Sequence, residues 1–167
     1  METEVVKAIK LAVSAKKQEL DYYKKAAGRT KNPSGRKVFS YLAEEEEQQL
    51  KALKEHLAKA AGEGWLPDEK AFSKSVCRLR RKKPKSILPK EVKSNTSELG
   101  ALEQAIGIEK KAIESYTDAA CKTNDKNAMK VFHYLIESEN EHLKELGIQY
   151  AFLKSEGFWY DNELTPS

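Results

Sequence analysis

The sequence predicts an all-α fold, a four-helix bundle made of two repeated antiparallel helix pairs joined by one long crossover. Three observations carry that expectation. Shifted by 93 positions, the chain matches itself without a gap, with 20 of 57 positions identical between residues 8–64 and 101–157. Such self-similarity marks an internal repeat. Charged residues make up 34% of the 167 positions, with 8 Gly and 5 Pro, a balance typical of strongly helical soluble chains. Finally, each repeat is split by one short polar turn, as two helices joined by a reversal would be.

The elements follow in order. A first helix is expected over residues 3–29, ended by the turn Lys31-Asn32-Pro33-Ser34, whose Pro and Asn stop a helix. A second runs over 34–61. Residues 66–96 form the crossover, and Ser94-Asn95-Thr96-Ser97-Glu98 offers N-caps for a third helix over 97–121. Thr123-Asn124-Asp125-Lys126-Asn127 is the second turn, and the fourth helix spans 126–155. The whole, 1–167, reads as a single domain with repeat one at 1–65, repeat two at 97–160 and a short tail at 161–167. The strongest match pairs Lys37-Val38-Phe39 and Tyr41-Leu42 with Lys130-Val131-Phe132 and Tyr134-Leu135.

Chemistry shows in what stands among the apolar residues. The inward stripe of the fourth helix reads Phe132, Leu135, Glu139, His142/Leu143, Leu146 at spacings of three and four. That of the third reads Leu102, Ala105/Ile106, Glu109, Ala112/Ile113, Tyr116, and that of the second reads Phe39, Leu42, Glu46, Gln49/Leu50, Leu53. Three helices therefore aim one carboxylate each at a common axis. A buried unpaired carboxylate costs several kcal/mol or takes a proton, and three of them repel one another. A bound cation answers both problems. An inward Glu combined with Glu-x-x-His is the ligand pattern of carboxylate-bridged dinuclear bundles, and oxygen and imidazole donors suit iron or manganese better than zinc or copper. The candidate ligands are Glu46, Glu109, Glu139 and His142. Plainer readings stand beside this one: Glu-x-x-His recurs on surface helices, and His142 could be a core histidine. The other three acids of the run Glu44 to Glu47 are expected on the solvated face. Register favours the metal, because Glu46 and Glu139 are matched by the 93-residue shift.

These residues resemble the rubrerythrin branch of the ferritin-like superfamily. Glu109-Lys-Lys-Ala112-Ile-Glu-Ser-Tyr116 looks like the family's Glu-x-x-Ala-x-x-x-Tyr helix, and Leu135-Ile-Glu-Ser-Glu139-Asn-Glu-His142 like its Glu-x-x-His helix. Tyr23 to Ala27, Tyr41 to Glu46, Glu63-Gly64-Trp65 and Glu156 to Trp159 fit the same framework. The resemblance implies a ferritin-like bundle without a rubredoxin domain. It also implies a dinuclear iron centre, reduction of hydrogen peroxide, and a rubredoxin-like electron donor as partner. Two positions depart from it. The family's first-helix Glu falls at Lys16 and its second-helix His at Gln49. The resemblance thus implies that one metal has lost its terminal ligands, while Glu109 and His142 remain for the other, with Glu46 and Glu139 between. One iron or manganese ion per chain is the expected cofactor, with two still open. Lys16 can pair with Glu46 or Glu139 where a metal would stand. Glu19 is either a substitute ligand or an i,i+3 partner of Lys16, the favoured reading. Tyr23 and Tyr116 can bond ligands, carry electrons, or simply fill the core. The alternative function is a non-enzymatic bundle in which Lys16 replaces a metal charge and the chain acts as scaffold or binding module.

The net charge is +4, but residues 74–93 hold nine Lys/Arg against Glu91 alone, a local +8 that leaves −4 elsewhere. The densest part, 77–85, suits contact with an acidic partner, a nucleic acid or an anionic membrane, but it lacks interleaved aromatics and sits on a connection, so solvation is the expected use and such contact stays open. A homodimer is expected. Cys77 and Cys121 form no CxxC and are expected as reduced thiols. No apolar run reaches the ~20 residues that span a bilayer, and the first residues lack a signal h-region, so the expected location is cytoplasmic.

Overall fold

The structure, a computed structural model, describes residues 2–60 and 96–160. Its four helices among the described residues are α1 (Glu4–Arg29), α2 (Pro33–Ala60), α3 (Thr96–Lys122) and α4 (Lys126–Glu156). Both ends of α1 and α4, the start of α2 and the end of α3 lie within one residue of the sequence expectation. The crossover up to residue 95, with Cys77, the 77–85 patch, Trp65, Ser94 and Asn95, and the tail 161–167, lie outside the described residues.

The ends are set by local chemistry. Thr3 Oγ1 accepts from Val6 N at 3.3 Å, satisfying one of the unpaired donors at the start of α1. Asn32 Oδ1 does the same for Ser34 N at 2.8 Å. Pro33 stands at the first helical position, where its missing N–H costs nothing. Asp125 Oδ1 caps α4 by accepting from Asn127 N at 2.8 Å and Ala128 N at 3.0 Å. Gly157 ends α4 with φ +79°, a left-handed conformation that glycine adopts without strain.

Three-residue connections reverse the chain between α1 and α2 and between α3 and α4, so each pair packs along its length. The pairs meet chiefly through α1 against α4, and also through α1 against α3. The apolar interior falls into two blocks. One holds Ile9 and Ala12 of α1, Leu50 and Leu53 of α2, Tyr116 of α3 and Phe132 of α4. The other holds Tyr23 of α1, Phe39 and Leu42 of α2, Leu102 of α3 and Leu146 of α4. On every helix the residues between those blocks are polar and buried: Lys16 and Glu19, Glu46 and Gln49, Glu109, and Glu139 with His142. The bundle thus holds a charged layer sandwiched between two dry ones.

Trp159, just past α4, closes one end of the bundle. It is 1% exposed, meets Phe39 edge to face at 5.7 Å, and donates from Nε1 to Glu98 Oε2 at 3.3 Å. The other Glu98 oxygen accepts from Asn32 N at 3.2 Å, which ties the first turn to the chain end. A Cβ on Gly35 would come within 2.4 Å of the Trp159 ring, so the close approach requires glycine there. No described helix is long and apolar enough to cross a membrane. Cys121 is an exposed free thiol.

Candidate metal centre

The helical period brings Glu46 from α2, Glu109 from α3, and Glu139 and His142 from α4 into the charged layer, all of them buried. One ligand atom from each lies within 4.8 Å of all the others. His142 turns Nδ1 inward, 3.0 Å from Glu46 Oε1, 3.6 Å from Glu109 Oε1 and 3.7 Å from Glu139 Oε2.

Buried polar atoms in folded proteins are nearly always hydrogen-bonded. Here His142 Nδ1, Glu109 Oε2, Glu139 Oε2 and both Glu46 oxygens have no hydrogen-bond partner among the described residues. Three carboxylates and one imidazole turned on one another, with Lys16 reaching only Glu46 Oε2 and Glu139 Oε1 among them, offer ligand atoms that fit a cation. On the α1 side, Lys16 Nζ stands 2.9 Å from Glu46 Oε2 and 3.0 Å from Glu19 Oε2, and it pairs with Glu139 Oε1. Beside it Gln49 Nε2 donates to Ser138 Oγ at 2.7 Å. There an ammonium and an amide stand, and neither is an anionic or imidazole ligand.

The electrostatics agree with that division. Burial favours a neutral Lys16, but Glu139, Glu19 and Glu46 together hold its pKa well above the usual value. Burial likewise opposes ionisation of Glu139, yet Lys16, with help from Glu109 and His142, keeps that carboxyl well below the ordinary range. Glu109 is not reached by Lys16. Burial, and then the nearby Glu139 carboxylate, outweigh the pull of His142 and push it up to about 8. Burial also raises Glu19 well above its ordinary value against the pull of Lys16. His142, for which burial favours the neutral ring, is raised well above its ordinary value by four surrounding carboxylates, Glu109, Glu139, Glu45 and Glu46.

Two tyrosines line the layer. The Tyr23 hydroxyl donates to Glu109 Oε1. Tyr116, matched to Tyr23 by the 93-residue shift, would find its counterpart acceptor at position 16. That position is a lysine, which cannot accept, and the buried Tyr116 hydroxyl has no hydrogen-bond partner among the described residues.

Glu45 corrects the sequence reading. Expected on the solvated face, it is buried, with Oε2 2.6 Å from His142 Nε2 and Oε1 accepting from Tyr41 Oη at 2.6 Å. A run of four acids hides such a residue, although its place three after the inward Leu42 was a usable signal. Glu19 is paired with Lys16, but inside the bundle rather than at its surface.

A family model described as Rubrerythrin matches residues 7–147. Among solved structures, a two-domain protein from Anabaena variabilis containing DJ-1/ThiJ/PfpI-like and ferritin-like domains is similar, with a TM-score of 0.64 and 10% identity. The match covers 99% of this chain and 44% of that one, so the chain spans under half of that protein. At such identity the likeness speaks for the fold alone. Comparison with curated proteins gave no match.

Proposed function

Because the chain belongs to the rubrerythrin family, we propose that its charged layer holds one iron or manganese ion per chain and uses it to reduce hydrogen peroxide. The carrying observation is the convergence of Glu46, Glu109, Glu139 and His142, with their ligand atoms within 4.8 Å and largely without donors. Oxygen and imidazole donors in this ratio favour iron or manganese. Bound there, such an ion would supply a redox couple and a Lewis-acid centre for peroxide.

The chain's own residues do the rest. Tyr23 holds one oxygen of Glu109 by a hydrogen bond and so fixes the carboxylate, whose other oxygen has no hydrogen-bond partner among the described residues. Lys16 anchors Glu139 and Glu46 from the far side and keeps Glu139 ionised. The two apolar blocks keep bulk water from the layer along the bundle axis. Converting peroxide to two waters consumes two electrons and two protons. A rubredoxin-like partner is the proposed donor, giving its electrons one at a time.

Lys16 also favours a second reading, in which its ammonium alone balances the layer and the bundle is a scaffold without a metal. Elemental analysis after loading with Fe2+ or Mn2+ separates the two. One ion per chain, lost in His142→Ala, supports the metal reading; no ion in the wild type favours the scaffold; two ions would refute the assignment of Lys16. Peroxide consumption with reduced rubredoxin then tests the chemistry.

A further inference from the structure

The ring of His142 has two nitrogens with different surroundings. Nδ1 faces the three carboxylates of the cluster, and Nε2 points the other way, across to α2. There Glu45 Oε2 waits at 2.6 Å. An ionised carboxylate only accepts hydrogen bonds, so the hydrogen in this contact belongs to the ring. Glu45 is itself held, since Tyr41, one turn back on the same helix, donates to its other oxygen at 2.6 Å.

The other half of the layer supplies an independent comparison. Under the 93-residue shift, Glu45 corresponds to Ser138 and His142 to Gln49. Gln49 and Ser138 are also hydrogen-bonded to each other, at 2.7 Å, across the same pair of helices in the opposite sense. Both cross-links bridge α2 and α4. Where the ring nitrogen is present its partner is a carboxylate; where the ring has become an amide its partner is a hydroxyl. The carboxylate therefore goes with the imidazole and is not a general requirement for joining the helices.

We propose that Glu45 is a positioning residue for the metal centre: it takes the Nε2 hydrogen of His142, orients the ring, and so presents Nδ1 to the cation, with Tyr41 holding Glu45 in place. The proposal rests on the reading of Glu46, Glu109, Glu139 and His142 as one cation site. Carboxylate partners of this kind fix the ring tautomer and make the other nitrogen a stronger donor, and removing them lowers metal affinity roughly 10- to 100-fold.

The test uses the full chain with Mn2+ titrations for affinity and 15N NMR for the ring, in metal-free and Zn2+-loaded protein. Glu45→Ala should weaken Mn2+ binding roughly 10- to 100-fold and abolish the slow exchange of the His142 Nε2 proton. Glu45→Gln, whose amide oxygen accepts the same hydrogen, should restore the protected proton and part of the affinity. A residue that merely packed would leave the proton signature unmoved. If Glu45→Ala keeps affinity within about twofold, or its Nε2 proton stays slow to exchange, the proposal is wrong. Failure of the wild type to bind any cation would sink the metal reading instead. The exchange of the Nε2 proton in metal-free protein still judges Glu45 alone.

Discussion

Replacing Lys16 by methionine should destabilise the metal-free protein severely. Methionine keeps much of the length and apolar bulk of the lysine stem but deletes the ammonium, the cation paired with Glu19, Glu46 and Glu139. Breaking a buried ion pair on one side costs about 3–5 kcal/mol, because the partner charge is left unmatched in a medium that solvates it poorly. For a chain of this size each kcal/mol lowers Tm by about 2–4 °C, so the expected drop is about 6–20 °C. The pH dependence has a definite sign. The folded-state pKa of Lys16 is raised, so its contribution is complete below the ordinary lysine value and fades only as pH rises through the raised one. That of Glu139 is depressed, so its contribution is present above the ordinary carboxylate value and is lost as pH falls toward the folded one. Neutral pH lies inside both windows, and the difference between wild type and variant should shrink as pH falls toward the ordinary carboxylate range, because buried carboxylates left without Lys16 take up protons more readily than those of the wild type. Thermal denaturation of chelator-treated protein at pH 7 and pH 4 measures both. A variant as stable as the wild type at pH 7, or a gap that widens in acid, would refute the view of Lys16 as the internal counter-ion.

Other outcomes follow from the same geometry. Lys16→Glu combined with Gln49→His copies Glu109 and His142 into their shift-matched positions, and elemental analysis should then find two ions per chain instead of one. Metal uptake should release protons, because Glu109, with a pKa of about 8 in the metal-free protein, must ionise to bind. Calorimetric titrations in buffers of different ionisation enthalpy should show that release, with affinity falling as pH drops below about 8. Gly35→Ala forces a methyl group against the Trp159 ring and should cost about 1–3 kcal/mol in urea denaturation, an overpacking penalty.

The fold was legible because its signals are local and repeated. Asn32-Pro33, Asp125 and Gly157 each act on the backbone within a few residues, so helix ends could be read without tertiary knowledge. Glu46, Glu109 and Glu139 were legible for a related reason: each interrupts an otherwise apolar stripe, and helical spacing alone puts it inside. Glu45 was less so: its place three after Leu42 hints at burial, but its partner His142 lies on a helix nearly a hundred positions away, and its three acidic neighbours mask it. Glu19 shows the reverse case, with the partner readable from i,i+3 spacing but the dry setting, which changes what the pair contributes, decided by packing. Tyr116 was legible as an inward aromatic of the third helix, but its unmet hydroxyl follows from Lys16 on another helix.

The layering of the interior also governs how the centre senses its surroundings. Salt in solution screens charges that it can approach, with a reach of about 8 Å at physiological ionic strength. Lys16, Glu46, Glu109 and Glu139 are fully enclosed, with apolar side chains above and below them. Dissolved ions cannot gather around such a ring, so its balance of charge is written into the covalent chain and is nearly indifferent to the ionic strength of the medium.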